Sequence, residues 1–179
     1  MTISIRNARA DDSDAVAAVL KAAYAEYVPS PDALLSDEER AGWAGYQADI
    51  IDVRSRLANS ELIIAEGDGR LLGAVTFYAP NAGLHYPTDV EHQDFPPDWA
   101  AFRLLGVHPD ARRRGIGGKL TEECLRRAAQ RGAPTVGLHT LSMMEAASRM
   151  YTRMGWVRAP QWDIFPTPSL RIDAYRLDL

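Results

Sequence analysis

The run Arg112-Arg113-Arg114-Gly115-Ile116-Gly117-Gly118 concentrates three cations and three glycines in seven residues. An apolar, strand-like stretch, Phe102 to Val107, precedes it, and a helix-like segment, Lys119 to Arg131, follows. Glycines at the mouth of a helix let backbone approach a ligand closely. The first amides of such a helix have no partner within it and point outward. The helix dipole adds partial positive charge there, and the arginines add full charges. The run therefore predicts an anion site, and phosphate or pyrophosphate is the biological anion that suits it. The plainer alternative is a Gly-rich strand-to-helix turn with a solvated basic face.

Spacing excludes two common phosphate loops. A Walker loop needs Gly-Lys followed directly by Ser or Thr, and here Gly118-Lys119 is followed by Leu120. The dinucleotide fingerprint needs a third glycine three residues after the second. Counted from Gly115 and Gly117, that position is Leu120. What remains is Arg-x-x-Gly-x-Gly, formed by Arg112, Gly115 and Gly117 after Val107-His108-Pro109-Asp110-Ala111. A second cluster lies downstream in Ala147-Ser148-Arg149-Met150-Tyr151-Thr152-Arg153-Met154-Gly155-Trp156. Ala147 and Tyr151 share one face of a helix there.

These two patterns, in this order, resemble the coenzyme A loop and the following helix of the GNAT acetyltransferase superfamily. The resemblance spans nearly the whole chain but is specific only from about Phe102 to Trp156. It implies acetyl-CoA as acyl donor and no metal. It assigns the pantetheine arm to strand backbone at Leu105, Gly106 and Val107, which an extended amide chain can pair with as an added strand would. It assigns the diphosphate to the amides of Arg114, Gly115, Ile116, Gly117, Gly118 and Lys119, with Arg112 at the first motif position. Arg113 and Arg114 either contact phosphate or lie in solvent. Ala147 leaves space beside the coenzyme, and Tyr151 is implied as the acid that protonates the departing thiolate. A phenol of pKa about 10 suits a thiol of about 8.5 or somewhat higher. Without the upstream loop, Tyr151 would read as an ordinary core tyrosine, and Cys124 reads as a packing residue.

The chain departs from the family pattern twice. Met144 stands where many members carry a coenzyme-contacting Asn, with Ser142 a weak substitute. Trp99-Ala100-Ala101-Phe102-Arg103 holds no carboxylate where many members carry a Glu that acts as base through water. That base matters, because an amine of pKa about 10.4 is neutral in only about one molecule in a few thousand at pH 7. Other candidates are His85, Asp89, Glu91, His92 and Asp94 in a long loop, and His139; no single one is favoured. Trp43, Tyr46, Tyr78, Tyr86 and Trp99 are candidate linings of an acceptor pocket, or core.

Composition sets the frame. The chain has 179 residues, 46% hydrophobic, which suits a single domain over 1–179 with a sizeable core. A net charge of −4 gives no global basic field for nucleic acid, so the arginine run is local. One cysteine allows no internal disulfide. The N-terminus lacks the apolar core of a signal peptide, and no apolar stretch is long enough to span a bilayer. The expectation is a cytoplasmic protein with a small-molecule or peptide amine acceptor, no nucleic acid and no membrane. Dimerisation is common in the family, but no interface is legible.

The elements that must position these residues follow from patterning. A short strand at 3–6 is followed by a helix capped by Asp11 or Asp12 and running to about Tyr27. Ser36 with Glu39 forms a capping box for a second helical region to about Ala58. Glu61–Glu66 and Leu71–Tyr78 flank Asp68-Gly69, a strong hairpin signal. Residues 79–98 form a long loop. Then come a strand at 102–107, a helix ended by Gly132, a strand at 135–140, a helix at 145–154, and strands at 156–159 and 170–177. Hairpins mixed with crossover helices define an α/β (α+β) fold. The resemblance implies a mixed, mostly antiparallel sheet of about seven strands, splayed between the fourth and fifth, with about four helices. Its function would be acetyl transfer to a primary amine by direct attack. The alternatives are a non-catalytic acyl-CoA binding or sensing module and a nucleotide-phosphate protein.

Overall fold

The structure, a computed structural model, describes residues 2–84, 93–167 and 170–179. The chain packs as two compact units, Met1–Phe77 with Arg103–Cys124, and Tyr78–Phe102 with Leu125–Leu179.

The first unit contains β1 (Ser4–Asn7), α1 (Ser13–Tyr24), α2 (Asp37–Ile51), α3 (Val53–Asn59) and β2 (Glu61–Gly67). It also holds nearly all of β3 (Arg70–Tyr78), the second part of β4 (Ala100–Val107) and the start of α4 (Ile116–Gln130). Its strands follow the order β1-β2-β3-β4. The β2–β3 hairpin turns on Asp68 and Gly69, whose φ values of 51° and 72° are both left-handed, as a two-residue primed turn requires. In α1, Val16, Leu20, Ala23 and Tyr24 are buried at helical spacing. Asp12 precedes α1 but makes no side-chain capping bond to it. Arg6 takes its carboxylate instead, at 2.7 Å, as does the Arg9 amide. Ser36 and Glu39 form the expected capping box, with Glu39 N donating to Ser36 Oγ at 3.2 Å and Ser36 N to Glu39 Oε2 at 2.9 Å. The second helical region is two helices, because Asp52 ends α2 and caps α3 through the Ser55 amide at 3.2 Å.

The second unit contains the start of β4, β5 (Thr135–Leu141), α5 (Glu145–Arg153), β6 (Val157–Arg158), β7 (Ile164–Thr167) and β8 (Leu170–Asp178). Its order is β4-β5-β8-β6, with β7 paired on β8. β8 runs antiparallel to β5, β6 and β7. The parallel β4·β5 ladder has only three pairs, Ala100↔Val136, Ala101↔Gly137 and Phe102↔Leu138. Both strands continue past its end, β4 to Val107 and β5 to Leu141. The sheet is thus mixed and mostly antiparallel, with the break expected between its fourth and fifth strands. Among the described residues it has eight strands, where about seven were expected. The extra one is β7, a short segment that contains Pro166 and carries little strand signal.

Arg158 ties the far edge of this unit together. Its guanidinium holds both oxygens of Asp163, at 2.9 and 2.8 Å, and reaches Asp173 at 3.3 Å. Burial pushes the Asp163 carboxyl up, but the bonds from Arg158 and the Ala174 amide outweigh this and hold it below its ordinary value.

Candidate active site

In the first unit, the arginine- and glycine-rich loop follows β4 through a short 3-10 turn, Pro109–Ala111. Arg113 and Gly115 both adopt left-handed backbone, with φ of 61° and 76°. The first recorded bond of α4 runs from Lys119 N to Gly115 O at 3.0 Å. The amides of Ile116, Gly117 and Gly118 therefore lie in the first helical turn, where no carbonyl one turn back can receive them. Ile116 and Leu120 are fully buried and fasten this end of the helix, while Arg113, Arg114 and Lys119 are exposed. The helix begins at Ile116, three residues before the expected Lys119. Burial of Ile116 offsets the poor helix propensity of the two glycines.

Arg112 does not share the exposure of the next two arginines. Its guanidinium donates to the Ala23 carbonyl at 2.9 Å and pairs with Glu26 at 2.6 Å. It anchors the loop to the end of α1.

The strand before the loop is distorted inside itself. Leu104 has φ of 52°, a conformation that costs a non-glycine residue about 1 kcal/mol or more. Gly106 is the place of close approach that its residue type suggests, but the neighbour is α1. A Cβ there would stand 2.8 Å from Leu20 and 3.1 Å from Ala23 side-chain atoms. The Tyr24 hydroxyl donates to the Leu105 carbonyl at 3.1 Å, and burial raises the Tyr24 pKa far above its usual value. Leu105 and Val107 are half-buried.

Arg103, where a carboxylate was sought, is buried and donates to Asp49 of α2 at 2.9 Å. Arg56 of α3 joins them, its Nη1 lying 3.9 Å from Asp49 and its Nη2 donating to the Ile50 carbonyl at 2.8 Å. Sequence reasoning did not find Asp49, because nothing local links it to a strand 54 positions away. Tyr46 sits beside this group, its ring edge-on to Tyr24 and Trp43, and burial raises its hydroxyl well above the usual range. Trp43 also lines an open groove of about 480 Å³ with Pro31, Leu35 and Arg40.

In the second unit, Tyr151 of α5 is 4% exposed and ringed by Phe102, Trp156 and Tyr175, with centroids 5.8 to 6.2 Å away. Ala147, one turn earlier, is half-buried. Gly155 ends this region with φ of 89°. Met144 is buried, and the Thr140 hydroxyl donates to its sulfur at 3.6 Å. A thioether cannot replace the two donors of an Asn amide. Ser142 is exposed.

Of the base candidates, His85, Asp89, Glu91 and His92 lie outside the described residues, as does Tyr86. Asp94 is exposed. His139 of β5 sits in an aromatic cluster: Phe95 stacks on it at 4.7 Å and on Trp99 at 5.5 Å, and Trp162 meets Phe95 and Trp99 edge-on. The buried indole N–H of Trp162 has no hydrogen-bond partner among the described residues. Cys124 is buried in α4. Among the described residues, no group of His, Cys, Asp and Glu is placed to hold a metal ion, and no helix is long and apolar enough to cross a membrane.

A glycine-headed helix after a distorted strand, in a mixed sheet whose parallel ladder stops early, defines a mixed α/β fold. The family model for the acetyltransferase (GNAT) family matches residues 20–156, and the chain belongs to that family. It is 26% identical to a probable N-acetyltransferase camello of Xenopus tropicalis, over 66% of this chain and 55% of the relative. The chain thus spans about half the length of this curated relative. Among solved structures, it is similar to the PaiA N-acetyltransferase of Thermoplasma acidophilum in complex with coenzyme A. That match has a TM-score of 0.69 and 15% identity, and it covers 100% of both chains. The putative acetyltransferase YncA of Salmonella typhimurium, solved with acetyl-CoA, has a TM-score of 0.64 and 18% identity, covering 100% of this chain and 95% of that one. At these identities the structural matches establish the fold.

Proposed function

We propose that this chain is an acetyl-CoA-dependent N-acetyltransferase acting on a primary amine of a small molecule or peptide. The observation that carries the reading is the glycine-headed start of α4, with outward first-turn amides beside exposed Arg113 and Arg114. Membership of the family and fold relatives holding coenzyme A or acetyl-CoA support it.

In this reading the amides of Arg114 to Lys119 take the diphosphate, and the backbone of Leu105, Gly106 and Val107 takes the pantetheine arm. Arg112 holds the loop in shape. Met144 contributes packing at the coenzyme-contacting position, and Ala147 leaves room beside it. The acceptor nitrogen attacks the thioester carbon directly. The Val107 amide stabilises the carbonyl oxygen as charge develops on it. The C–S bond then breaks, and Tyr151 protonates the thiolate.

Thermal shift with acetyl-CoA, coenzyme A and ATP tests the ligand, because a molecule that binds only the native state raises its apparent stability. Stabilisation by both coenzyme forms and not by ATP is expected. Gly117→Glu places a carboxylate in the diphosphate cradle and is expected to abolish the acetyl-CoA shift. An unchanged affinity in that variant would remove the assignment. Coenzyme binding with no turnover on any amine would favour a sensing module.

A further inference from the structure

We propose that the groove between α2 and the segment 28–35 is the acceptor's subsite, and that it selects primary amines with an apolar body and a carboxylate, which Arg40 binds; this rests on the acetyltransferase reading above.

The groove lies within the first unit and has two walls. Along α2, Arg40, Trp43, Ala44 and Gln47 follow the spacing of one helical face. The other wall runs from Val28 to Pro31 and includes Leu35. Pro29 and Pro31 fix the backbone of that wall, and the Ala33 amide closes a turn on the Ser30 carbonyl at 2.9 Å. The shape is thus built in before a ligand enters. A volume of about 480 Å³ is in the range of small-molecule sites.

Most of the lining is apolar. Pro31, Leu35 and the half-buried Trp43 ring offer surface to an aliphatic or aromatic body, and Ala44 leaves room beside them. Arg40 is the one charged residue of the lining among the described residues. Its Nη2 donates to the Leu35 carbonyl at 3.3 Å, from one wall to the other. This is its one hydrogen bond among the described residues, and no carboxylate there pairs with it. Glu39, its neighbour in sequence, bonds to Ser36 at 2.9 and 3.0 Å, and Glu26 pairs with Arg112. One bond to a carbonyl leaves most of the guanidinium donors for the two oxygens of a carboxylate. Gln47 adds an amide for a further polar group on the same ligand.

The groove adjoins the part of this unit that the acetyltransferase reading gives to the coenzyme. Its wall begins at Val28, two positions after Glu26, whose carboxylate holds Arg112 of the glycine-rich loop at 2.6 Å. From Trp43, the rings of Tyr46 and Tyr24 follow edge-on at 5.9 and 6.1 Å, and the Tyr24 hydroxyl donates to the Leu105 carbonyl at 3.1 Å. Two ring contacts and one hydrogen bond thus connect the groove with the strand assigned to the pantetheine arm. Carboxylate, body and amine of the acceptor follow the order Arg40, Trp43, strand. The subsite acts on binding, so its effect falls on KM.

The test measures thiol release from acetyl-CoA with amine pairs that differ only in carboxylate against carboxamide: para-aminomethylbenzoate and its amide, and ε-aminocaproate and its amide. Wild type is expected to favour at least one acid over its amide by roughly tenfold in kcat/KM, through KM. Arg40→Gln is expected to bring that ratio close to one, and Arg40→Lys to keep part of it. Ala44→Trp, which fills the groove, is expected to raise KM for the favoured acid. The acetyl-CoA thermal shift should be retained in all three. Equal kcat/KM for acid and amide in both wild-type pairs, or a preference that survives Arg40→Gln, overturns this inference and leaves the acetyltransferase reading standing. A wild-type chain that releases no thiol with any amine overturns both. Ligand-observed NMR with para-toluate, which has the body and the carboxylate but no amine, gives a readout without turnover. Binding that is lost in Arg40→Gln and Ala44→Trp supports the subsite, and binding undiminished in both overturns it.

Discussion

Phe95 rests on Gly137 where a side chain would otherwise stand. Its ring carbons lie 2.5 to 2.8 Å from the position a Cβ on Gly137 would take. The glycine is therefore required by the ring, and the ring in turn stacks on His139 and Trp99. Gly137→Ala should displace Phe95 and cost about 1–3 kcal/mol of stability through overpacking. Urea denaturation measures the loss.

Tyr151 packs against three aromatic rings, so Phe in its place keeps the shape and removes the hydroxyl. Tyr151→Phe should retain acetyl-CoA binding and lose turnover by about 100-fold, the usual scale for a positioned acid. Steady-state kinetics beside a coenzyme titration separates the two quantities. A rate undiminished over the whole pH range would remove the acid role.

The arginines of the loop should divide by function. Arg112 is tied to Ala23 and Glu26, so Arg112→Met should lower stability by about 1 kcal/mol. Arg113→Gln should leave stability unchanged and weaken acetyl-CoA binding by up to about fivefold. That loss should fade at high salt, where exposed charges are screened. Melting curves and binding at two salt concentrations distinguish the classes.

Asp12 supplies a pH signature. Its bond to Arg6, assisted by the Arg9 amide, outweighs desolvation and brings its pKa from 3.8 to about 2. A carboxyl lowered on folding stabilises above its unfolded pKa and stops doing so as pH falls through the folded one. The contribution should therefore be present above about pH 4 and disappear toward pH 2. Its size is on the order of 1 kcal/mol after solvent screening. Asp12→Asn should be less stable than wild type at pH 7 and equal to it near pH 2, as chemical denaturation would show.

Much of this was legible from local chemistry. Ser36 with Glu39, and Asp68 with Gly69, announce their structures because capping and primed turns depend on a few adjacent residues. The glycine-headed start of α4 is legible for the same reason. Asp11 or Asp12 was expected to cap α1; Asp12 stands at that position, but Arg6, brought near by the fold, competes for its carboxylate. Leu104 shows a different limit: nothing in its type marks it for left-handed backbone, and only its surroundings hold it there. Asp49 beside Arg103 and Trp162 beside His139 are pairings across long stretches of chain, which hydrophobic period and spacing do not encode.

The two compact units have a bearing on recombination. The chain passes from one to the other at 77/78, 102/103 and 124/125. These points fall within β3, β4 and α4 respectively. Neither unit is a continuous segment, so a single crossover with a relative cannot exchange one of them whole. A chimaera that swaps only the unit carrying Tyr151 and His139 needs three junctions, each inside a strand or helix whose two sides would then come from different parents.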